Sequence, residues 1–400
     1  MELNKNLIKI FNAQIITPLN VIGKGIMIIR DGIIETVSEE NIEIEGAIEI
    51  DAKGLFVAPG LIDNQVNGFA GVSFSLGGSD LSEEGIGKAT QELWKTGVTS
   101  YFPTLTTNSR EMMKKNLKIL AKALNNEEIA ASIPGFHLEG PYINPEDGYR
   151  GAHPLQFVRL PDWDEFMELN EASGKHILQI TLAPEMDGAL DFIEKCREAG
   201  IVVALGHHNA PAEIVTAAID SGAKIATHLG NGAANMINRH QNPFWSQLAD
   251  DRLHISIICD SFHLLPEEIK VFYKVKGVEK IILTSDVTSF ATLEPGMYQT
   301  QTGEIIELTE EGLLHYPAQK CLYGSASPLT KSIEYVAKVT GCTLAEAVRM
   351  ASLNTARLLG LNNIGELAQG KRADMIFFDI VDKRMIVHKT FIAGKEVFSQ

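Results

Sequence analysis

The sequence has few cysteines and no long apolar segment. Four cysteines occur in 400 residues: Cys196, Cys259, Cys321 and Cys342. They lie far apart and never in Cys-x-x-Cys spacing, which argues against a disulfide framework and against a cysteine zinc site. We therefore expect free thiols in a reducing compartment. No window approaches about 18 consecutive apolar residues, so a membrane-spanning helix is not expected.

The pattern at the start of this sequence does not predict a signal peptide. The charged residues Glu2, Lys5 and Lys9 interrupt the first segment, and no apolar core follows them. A secretory signal needs an apolar core of roughly 7–15 residues. Together with the expected free thiols, this pattern predicts a cytoplasmic protein without a membrane partner.

Positive charge is scarce. The chain has 35 Lys and Arg residues against 51 Asp and Glu residues, a formal net charge of −16. Such a chain repels nucleic acid and anionic membrane surfaces unless basic residues cluster, and no Lys/Arg run provides a cluster. Hydrophobic residues make up 45% and charged residues 22%, which is ordinary for a globular protein and excludes collagen, coiled coil and disorder. We therefore expect neither a nucleic acid nor a membrane as a partner.

Both ends of the chain are rich in strand patterns. Short apolar runs occupy residues 7–16, 25–29, 33–37 and 44–50, with Asp31-Gly32 as a hairpin turn. Similar runs return at residues 374–379 and 389–398, with a turn at Ala393-Gly394-Lys395. Two β-rich ends around a different middle predict that residues 1–58 and 366–400 meet in one small β-sandwich domain.

The middle of the chain, residues 59–365, alternates strand-like runs with amphipathic helical patterns. The runs end near eight residues: Gln65, Thr104, Glu139, Pro184, His208, Gly230, Asp260 and Asp286. Helical patterns lie at 82–96, 108–124, 188–199, 211–221 and 266–275. This order predicts an α/β fold with a (β/α)8 barrel of the TIM type as the catalytic domain. A doubly wound open sheet is the alternative, but no GxGxxG follows an early strand.

Ionisable residues stand where several of these runs stop. Glu139 ends the third run, His207 and His208 end the fifth, His228 ends the sixth and Asp286 ends the eighth. In a barrel, the C-terminal ends of the strands converge on one mouth, where active sites are built. Residues that are far apart in sequence should therefore form one cluster.

Glu139, His207 and His228 then form a set of two imidazoles and one carboxylate. This is a common ligand set for a catalytic divalent ion that keeps one position open for water. Asp286 would lie outside the ligand shell and accept the proton of that water. A single histidine after an apolar run is more often an ordinary loop or core residue. Four such residues at the same end of four strands favour the metal site.

Two further histidines adjoin these ligands. His137 lies two residues before Glu139 and shares its face of an extended strand, so it is an alternative ligand. His208 follows His207 directly and should point away from it in an extended strand.

Several motifs resemble the amidohydrolase superfamily. Val57-Ala-Pro-Gly-Leu-Ile-Asp63 leads into the first barrel run, and Ser352-Leu-Asn-Thr-Ala-Arg-Leu-Leu-Gly360 closes the barrel region. Gly370-Lys-Arg-Ala-Asp374 follows and also resembles this superfamily. Most members carry His-x-His after the first strand, which binds a second metal. Here the same place reads Gln65-Val-Asn67.

Gln-x-Asn at this position is similar to a single-metal branch of the N-acetylglucosamine-6-phosphate deacetylases. Further motifs similar to that family follow in order over nearly the whole chain: His137-Leu-Glu139-Gly-Pro141, Arg150-Gly-Ala-His153-Pro154, Thr181-Leu-Ala-Pro-Glu185 and Leu205-Gly-His207. The resemblance implies hydrolysis of the acetamide of N-acetylglucosamine 6-phosphate to glucosamine 6-phosphate and acetate. It also implies one divalent ion per chain, zinc (Zn²⁺) by first choice and Fe²⁺ or another divalent ion as the alternative.

The resemblance implies roles for individual residues. Glu139, His207 and His228 match the metal ligands, Gln65 matches a residue that holds a metal-bound water, and Asp286 matches the catalytic acid and base. Seven positions match substrate-binding residues: Ala152, His153, Asn231, Gly232, Arg239, His263 and Leu322. In such a protein the chain forms a homodimer, and Arg239 reaches the site of the neighbouring chain.

The chain departs from the family pattern after His228. The family usually reads His-Leu-x-Asn-Ala-Met, whereas this chain reads His228-Leu-Gly-Asn231-Gly-Ala-Ala-Asn235. This segment is expected to bind the sugar and its phosphate, so a change in it can change the substrate. The galacto epimer or an unphosphorylated sugar therefore stays an alternative substrate. A non-catalytic scaffold is the other alternative. An intact ligand set beside Asp286 argues against it, since a scaffold has no need for such a cluster.

Overall fold

A computed structural model of the protein describes residues 6–300 and 303–400. In this part of the chain the strands are β1 (Leu7–Ile16), β2 (Val21–Arg30), β3 (Ile33–Ser38), β4 (Ile48–Asp51), β5 (Phe56–Pro59), β6 (Leu61–Val66), β7 (Gly68–Phe69), β8 (Val72–Ser73), β9 (Val98–Thr106), β10 (Phe136–Glu139), β11 (Ile177–Leu182), β12 (Val202–Leu205), β13 (Ile225–Ala226), β14 (His254–Ile257), β15 (Ile281–Leu283), β16 (Gly296–Gln299), β17 (Ile305–Leu308), β18 (Leu314–Tyr316), β19 (Cys321–Leu322), β20 (Met375–Val381), β21 (Arg384–Ile392) and β22 (Lys395–Ser399).

The helices of the same residues are α1 (Glu83–Lys95), α2 (Arg110–Ala123), α3 (Glu127–Ala130), α4 (Trp163–Ala172), α5 (Ala189–Glu198), α6 (Ala212–Ser221), α7 (Pro243–Ala249), α8 (Pro266–Lys280), α9 (Leu329–Thr340), α10 (Leu344–Met350) and α11 (Leu353–Leu358). A short 3₁₀ turn covers Leu155–Phe157. Within the described residues, none of these helices has the length and apolar character needed to cross a membrane.

Eight parallel strands form the barrel, in the order β6, β9, β10, β11, β12, β13, β14 and β15. A parallel bridge between Val66 and Val287 links the end of β6 to the segment after β15, so the sheet is nearly closed. Each of the eight predicted runs contains one of these strands. The prediction of a (β/α)8 barrel is therefore confirmed, and the open sheet is excluded.

The local sequence explains these elements. Every residue of β6 and of β10 is buried, as expected for parallel strands whose two faces are covered by side chains and helices. The outer helices begin at residues that satisfy their first N–H groups: the Ser82 side chain accepts from Gly85 N, and the Ser109 side chain accepts from Met112 N. The five predicted helices each coincide with a helix of the structure to within a few residues.

Strands from both ends of the chain form a second sheet of eight strands, in the order β22, β21, β20, β5, β1, β2 and β3, with β4 also paired to β1. One edge of β1 pairs in parallel first with β4 and then with β5. β5 also pairs with β20, where Val57 faces Phe377 in an apolar core. The predicted meeting of the two termini in one β-rich unit is confirmed. Its domain limits at residues 58 and 366 stay a prediction.

A small antiparallel sheet of β16, β17, β18 and β19 follows the last barrel strand. Its core contains Phe290, Ile306, Leu308 and Leu314. The chain returns from β19 to the barrel where Ser325 bridges Val287. This sheet is not predicted by the sequence pattern, and it brings residues 321–325 to the closing point of the barrel.

Candidate metal centre and active site

Glu139, His207 and His228 meet at one mouth of the barrel, as predicted. Glu139 is the last residue of β10, and the two histidines lie two residues beyond β12 and β13. All three side chains are buried, and their possible ligand atoms lie within 4.8 Å of one another. Nε2 of His207 and Nε2 of His228 lie 3.2 and 2.8 Å from the same oxygen, Oε1 of Glu139. The strand ends therefore create a compact set of donor atoms.

The hydrogen bonds of the two imidazoles test whether this set fits a cation. Nδ1 of His207 lies 2.8 Å from the carbonyl oxygen of Tyr149, which can only accept, so Nδ1 carries the proton. In the neutral ring, Nε2 then turns a lone pair toward the Glu139 carboxylate. Two electron-rich atoms at this distance call for a cation between them, and the bond to Tyr149 is the support that metal-bound histidines usually have. The residues fit a divalent ion.

The charge state of Glu139 agrees with this fit. In the absence of an ion, protons on the two imidazoles take the place of the cation: burial alone would raise the pKa of Glu139, but hydrogen bonds and charge from His207 and His228 hold it well below the ordinary value. Burial lowers the pKa of His228, whereas its contact with Glu139 raises it, and the net direction is upward. Nδ1 of His228 is buried and has no hydrogen-bond partner among the described residues. The cluster therefore contains an ionised carboxylate.

The backbone of the site is strained at three of the clustered residues. His207, His228 and Asp286 have φ values of 54°, 30° and 51°, in a region that residues other than glycine rarely adopt. Two glycines make room for the His207 ring. A Cβ on Gly232 would lie 2.8 Å from its Nδ1, and one on Gly151 would lie 3.2 Å from its Cε1.

Asp286 lies three residues beyond β15 and is buried. Its Oδ1 accepts hydrogen bonds from Nδ2 of Asn67 at 2.7 Å and from Nε2 of Gln65 at 3.0 Å. Burial, followed by the charge of Glu139, raises the pKa of Asp286 to about 6. A Cβ on Gly324 would lie 3.5 Å from Oδ2. One oxygen is thus engaged by two amides, and the other borders a residue without a side chain.

His153 lies against the other oxygen of Glu139. Its Nε2 is 4.0 Å from Oε2, and its ring centroid is 4.4 Å from that of His207. Nδ1 lies 2.8 Å from Oγ1 of Thr107, which can donate, and 3.4 Å from the backbone N–H of Thr107, which can only donate. Both contacts are satisfied when the neutral ring carries its proton on Nε2. Burial, followed by the charge of His207, lowers the pKa of His153 to about 3. His153 therefore presents a neutral N–H donor beside the cluster.

Other predicted substrate residues follow or adjoin the same strand ends. Nδ2 of Asn231 donates to the carbonyl oxygen of His228 at 3.3 Å. Nδ1 of His263 lies 2.8 Å from Oδ2 of Asp260, which is buried. Ala152 is half-buried next to His153, and Leu322 is half-buried in β19.

Arg239 is the predicted residue that the structure does not bring into this cluster. It lies in an exposed stretch, residues 235–241, beyond β13. Its carbonyl oxygen accepts a hydrogen bond from Nε1 of Trp245 at 3.1 Å. Across residues 6–300 and 303–400, no hydrogen bond or ion pair involves its guanidinium group. Within a single chain it is therefore a surface residue.

His137 and His208 lie outside the donor set. Nδ1 of His137 is 3.1 Å from the carbonyl oxygen of Asn64, and Nε2 is 2.8 Å from Oγ1 of Thr181. Burial lowers the pKa of His137 to about 4, and both of its nitrogens are engaged. The alternative of His137 as a ligand is therefore wrong. Nδ1 of His208 accepts from the backbone N–H of Ala210 at 3.2 Å, in keeping with a side chain that points away from His207.

Three groups of the site are not predicted from the sequence as partners: the Tyr149 carbonyl, the Asn67 amide and the Asp260 carboxylate. The Tyr149 contribution comes from the backbone, which leaves no signal in residue identity. Asn67 stands out in the sequence only as a replacement for a missing histidine. Asp260 stands three residues before His263, a spacing that allows its carboxylate to accept from the His263 backbone N–H as well as the ring.

Comparison with known proteins extends over nearly the whole chain. A family model described as the amidohydrolase family matches residues 56–397. A protein from Lysinibacillus sphaericus named N-acetylglucosamine-6-phosphate deacetylase is 29% identical over 366 residues, which cover 92% of this chain and 91% of that protein. A protein of the same name from Caenorhabditis elegans is 32% identical over 364 residues, covering 88% of this chain and 84% of that protein.

A solved structure from Mycobacterium smegmatis is similar to the whole fold. It is a variant of N-acetyl-D-glucosamine-6-phosphate deacetylase in complex with N-acetyl-D-glucosamine-6-phosphate. The TM-score is 0.88 and the sequence identity 26%, and the match covers 98% of this chain and 100% of that one. The likeness therefore includes both the barrel and the terminal sheet.

Proposed function

The chain belongs to the amidohydrolase family and, within it, to the N-acetylglucosamine-6-phosphate deacetylases, and on this premise we propose how its site works. The enzyme hydrolyses the acetamide of N-acetylglucosamine 6-phosphate and releases glucosamine 6-phosphate and acetate. The observation that carries this function is the meeting of Glu139, His207 and His228 within 4.8 Å in a chain that matches such deacetylases over most of its length.

Glu139, His207 and His228 would hold one divalent ion, with zinc as first choice and Fe²⁺ as the alternative. Such an ion lowers the pKa of a coordinated water and polarises the acetamide carbonyl. Gln65 and Asn67 stand where other members carry two histidines, and neutral amides are weak zinc ligands. Both amides donate to Asp286 instead. These contacts support a single ion per chain.

Asp286 would accept the proton of the attacking water and return it to the departing sugar amine. Its Oδ1 is engaged by two amide donors, which leaves Oδ2 for proton transfer. A pKa of about 6 leaves the carboxylate ionised at neutral pH while keeping its conjugate acid strong enough to donate. One residue can serve as base and as acid because it delivers the proton that it has collected.

His153 would stabilise the negative charge that develops on the acetamide oxygen. Its Nε2–H faces the cluster, and its low pKa keeps the ring neutral over the whole physiological range. A donor that is already oriented toward the developing charge needs no reorganisation during the reaction.

The sugar phosphate would be bound by His263, Asn231, Gly232, Ala152 and Leu322, which follow or adjoin the barrel ends. A dianionic phosphate calls for more positive charge than His263 supplies, and arginine matches phosphate geometry well. We therefore infer a homodimer in which Arg239 of each chain reaches the site of its partner.

The surface around Arg239 supports this dimer. Met236 is 90% exposed and Trp245 is 57% exposed in the same segment, although large apolar side chains are usually covered. A partner chain would cover both side chains while it received the arginine.

The four free cysteines support a reducing, cytoplasmic location.

An acetate-release assay tests the proposed function. The purified protein, loaded separately with Zn²⁺ and Fe²⁺, is given N-acetylglucosamine 6-phosphate, its galacto epimer and free N-acetylglucosamine. We expect the gluco 6-phosphate to have the highest kcat/KM. Faster hydrolysis of either comparison sugar would assign the enzyme to that substrate, and no acetate from any of them would contradict the deacetylase function.

A further inference from the structure

We propose that Glu185 is a positioning residue for the metal ligand His207. Glu185 lies three residues beyond β11, on the loop between the strand ends that carry Glu139 and His207. It is not part of the donor set formed by Glu139, His207 and His228. Its influence must therefore pass through other residues. The inference rests on the metal centre of the proposed function.

One oxygen of Glu185 ties three consecutive loops together. Oε1 accepts a hydrogen bond from Nδ2 of Asn144 at 2.8 Å and another from the backbone N–H of Asn209 at 2.6 Å. Asn144 follows β10, Glu185 follows β11 and Asn209 follows β12. Hydrogen bonds to an ionised acceptor are among the stronger ones in proteins. The carboxylate therefore acts as a clamp across the barrel mouth.

Both arms of this clamp end on His207. On one side, Asn209 lies two residues after His207 in the same loop. On the other side, the backbone N–H of Asn144 donates to the carbonyl oxygen of His207 at 3.0 Å. The same loop after β10 also carries Tyr149, whose carbonyl accepts from Nδ1 of the His207 ring. Glu185 thus fixes both the backbone and the ring orientation of this ligand.

The conformation of His207 explains why such a clamp is needed. Its φ of 54° is strained for a residue with a side chain, and such strain persists only where the surroundings fix the backbone. Asn144 is only 6% exposed, so water cannot easily replace the bond that it makes to Glu185. Without the carboxylate, His207 would be free to leave the geometry in which Nε2 points at Glu139.

The burial of Oε2, the second oxygen of Glu185, indicates that this side chain does more than stabilise the folded state. Oε2 of Glu185 is buried and has no hydrogen-bond partner in the part of the chain that the structure describes. An unpaired buried acceptor is unfavourable, so this oxygen does not stabilise the fold. The charge of Glu185 also acts on His208, where it opposes the lowering of the pKa by burial. The hydrogen bonds of Glu185 run through Oε1, whose two partners both lead to His207.

The test measures zinc affinity without substrate. Metal-free wild type, Glu185→Ala and Glu185→Gln are titrated with Zn²⁺ against a chromophoric chelator. Loss of support behind a metal ligand typically weakens metal binding by about 10–100-fold, and we expect this for Glu185→Ala. Glutamine keeps Oε1 as an acceptor for both donors, so Glu185→Gln should lose far less affinity than Glu185→Ala. We expect a loss of about threefold, since a neutral hydrogen bond replaces a charged one. Asp187→Ala, an exposed carboxylate two residues along the same loop, is the matched control and should bind zinc like the wild type.

A second pair of variants tests the route of the effect. Asn144→Ala removes one arm of the clamp, and the double variant Glu185→Ala/Asn144→Ala should lose less zinc affinity than the two single losses multiplied. If Glu185→Ala does not fold, as judged by circular dichroism, Glu185→Gln and Asn144→Ala carry the comparison. Wild-type zinc affinity in Glu185→Ala overturns the proposal, and so does a glutamine variant as weak as the alanine variant. Because no substrate is present, failure of the deacetylase assay would leave this result intact.

Discussion

Asn67 and Asp286 are joined by a hydrogen bond of 2.7 Å across the seam where the first and last strands of the barrel meet. Gln65 donates to the same oxygen from two residues earlier. The bridge between Val66 and Val287 holds the two segments side by side. Closure of the barrel therefore also orients the carboxylate that we place in proton transfer.

Replacing Asp286 by asparagine should abolish most turnover while leaving the zinc content unchanged. The amide has nearly the same shape but cannot accept the proton, and a general acid–base residue typically contributes about 10²–10⁴-fold to the rate. Acetate release and elemental analysis of the same preparation check both parts. Asp187→Asn, at an exposed position, is the control. Turnover near the wild-type rate would remove Asp286 from the mechanism.

The activity should fall as the pH decreases through about 6. Asp286 must be ionised to accept a proton, and burial together with Glu139 raises its pKa to about 6. His153, with a pKa of about 3, stays neutral in this range and adds no second step. A profile of kcat/KM against pH shows the inflection. Because the Asn67 hydrogen bond lowers the pKa of Asp286, Asn67→Ala should move the inflection upward. An inflection unmoved in Asn67→Ala would speak against the assignment.

Removal of the metal should inactivate the protein and lower its melting temperature. The buried Glu139 carboxylate would lose its cation, and a ligand present at 1,000 times its Kd stabilises a folded protein by about 4 kcal/mol. Calorimetry before and after chelation, followed by re-addition of Zn²⁺, measures the change.

Elemental analysis should find one tightly held ion per chain. Two tightly held ions would contradict the single-metal site.

Gly232→Ala should weaken zinc binding by displacing His207. The new Cβ would lie 2.8 Å from Nδ1 of that ring, and the glycine has a φ of 58°. Gly200→Ala is a suitable control, since Gly200 also has a positive φ of 76° but nothing within 4 Å of its Cβ position. The control has the backbone strain without the clash. Equal zinc affinity in the two variants would show that the clash with His207 is unimportant.

Arg239→Ala should raise the KM for the 6-phosphate substrate and leave slow turnover of the unphosphorylated sugar nearly unchanged. The reason is that the guanidinium would contact only the phosphate, from the neighbouring chain. Arg252→Ala, an exposed arginine paired with Asp220 and Asp250, serves as the control. Sedimentation analysis should find a dimer for both variants. An equal loss on both substrates would indicate a defect in assembly instead.

The cluster of Glu139, His207 and His228 could be predicted from the sequence because the fold makes the position of these residues regular. Glu139, His207 and His228 each stand at or just beyond the end of an apolar run, and parallel barrel strands bring such ends together. The eight strands were predictable for the same reason. Their buried, apolar runs are short and evenly interrupted by helical patterns.

Two contacts of the site and one small sheet could not be predicted from the sequence, each for a different physical reason. The Tyr149 carbonyl is a backbone group whose direction depends on the loop conformation and not on the side chain. The bond from Asn67 to Asp286 depends on the register between the first and last strands, which no local pattern fixes. The small sheet around Leu322 consists of strands of two to four residues, too short to give a clear periodicity.

The terminal sheet has a consequence for the order in which the protein can fold. β5 is among the first strands to be synthesised, yet its partner β20 is among the last. Until β20 has been synthesised, the edge of β5 that pairs with it stays free, and the apolar side chains of the N-terminal strands lack the C-terminal residues that pack against them. Such contacts between distant parts of a chain form slowly and leave nascent protein open to aggregation. All eight barrel strands are therefore synthesised while the sheet that joins both ends of the chain is still incomplete.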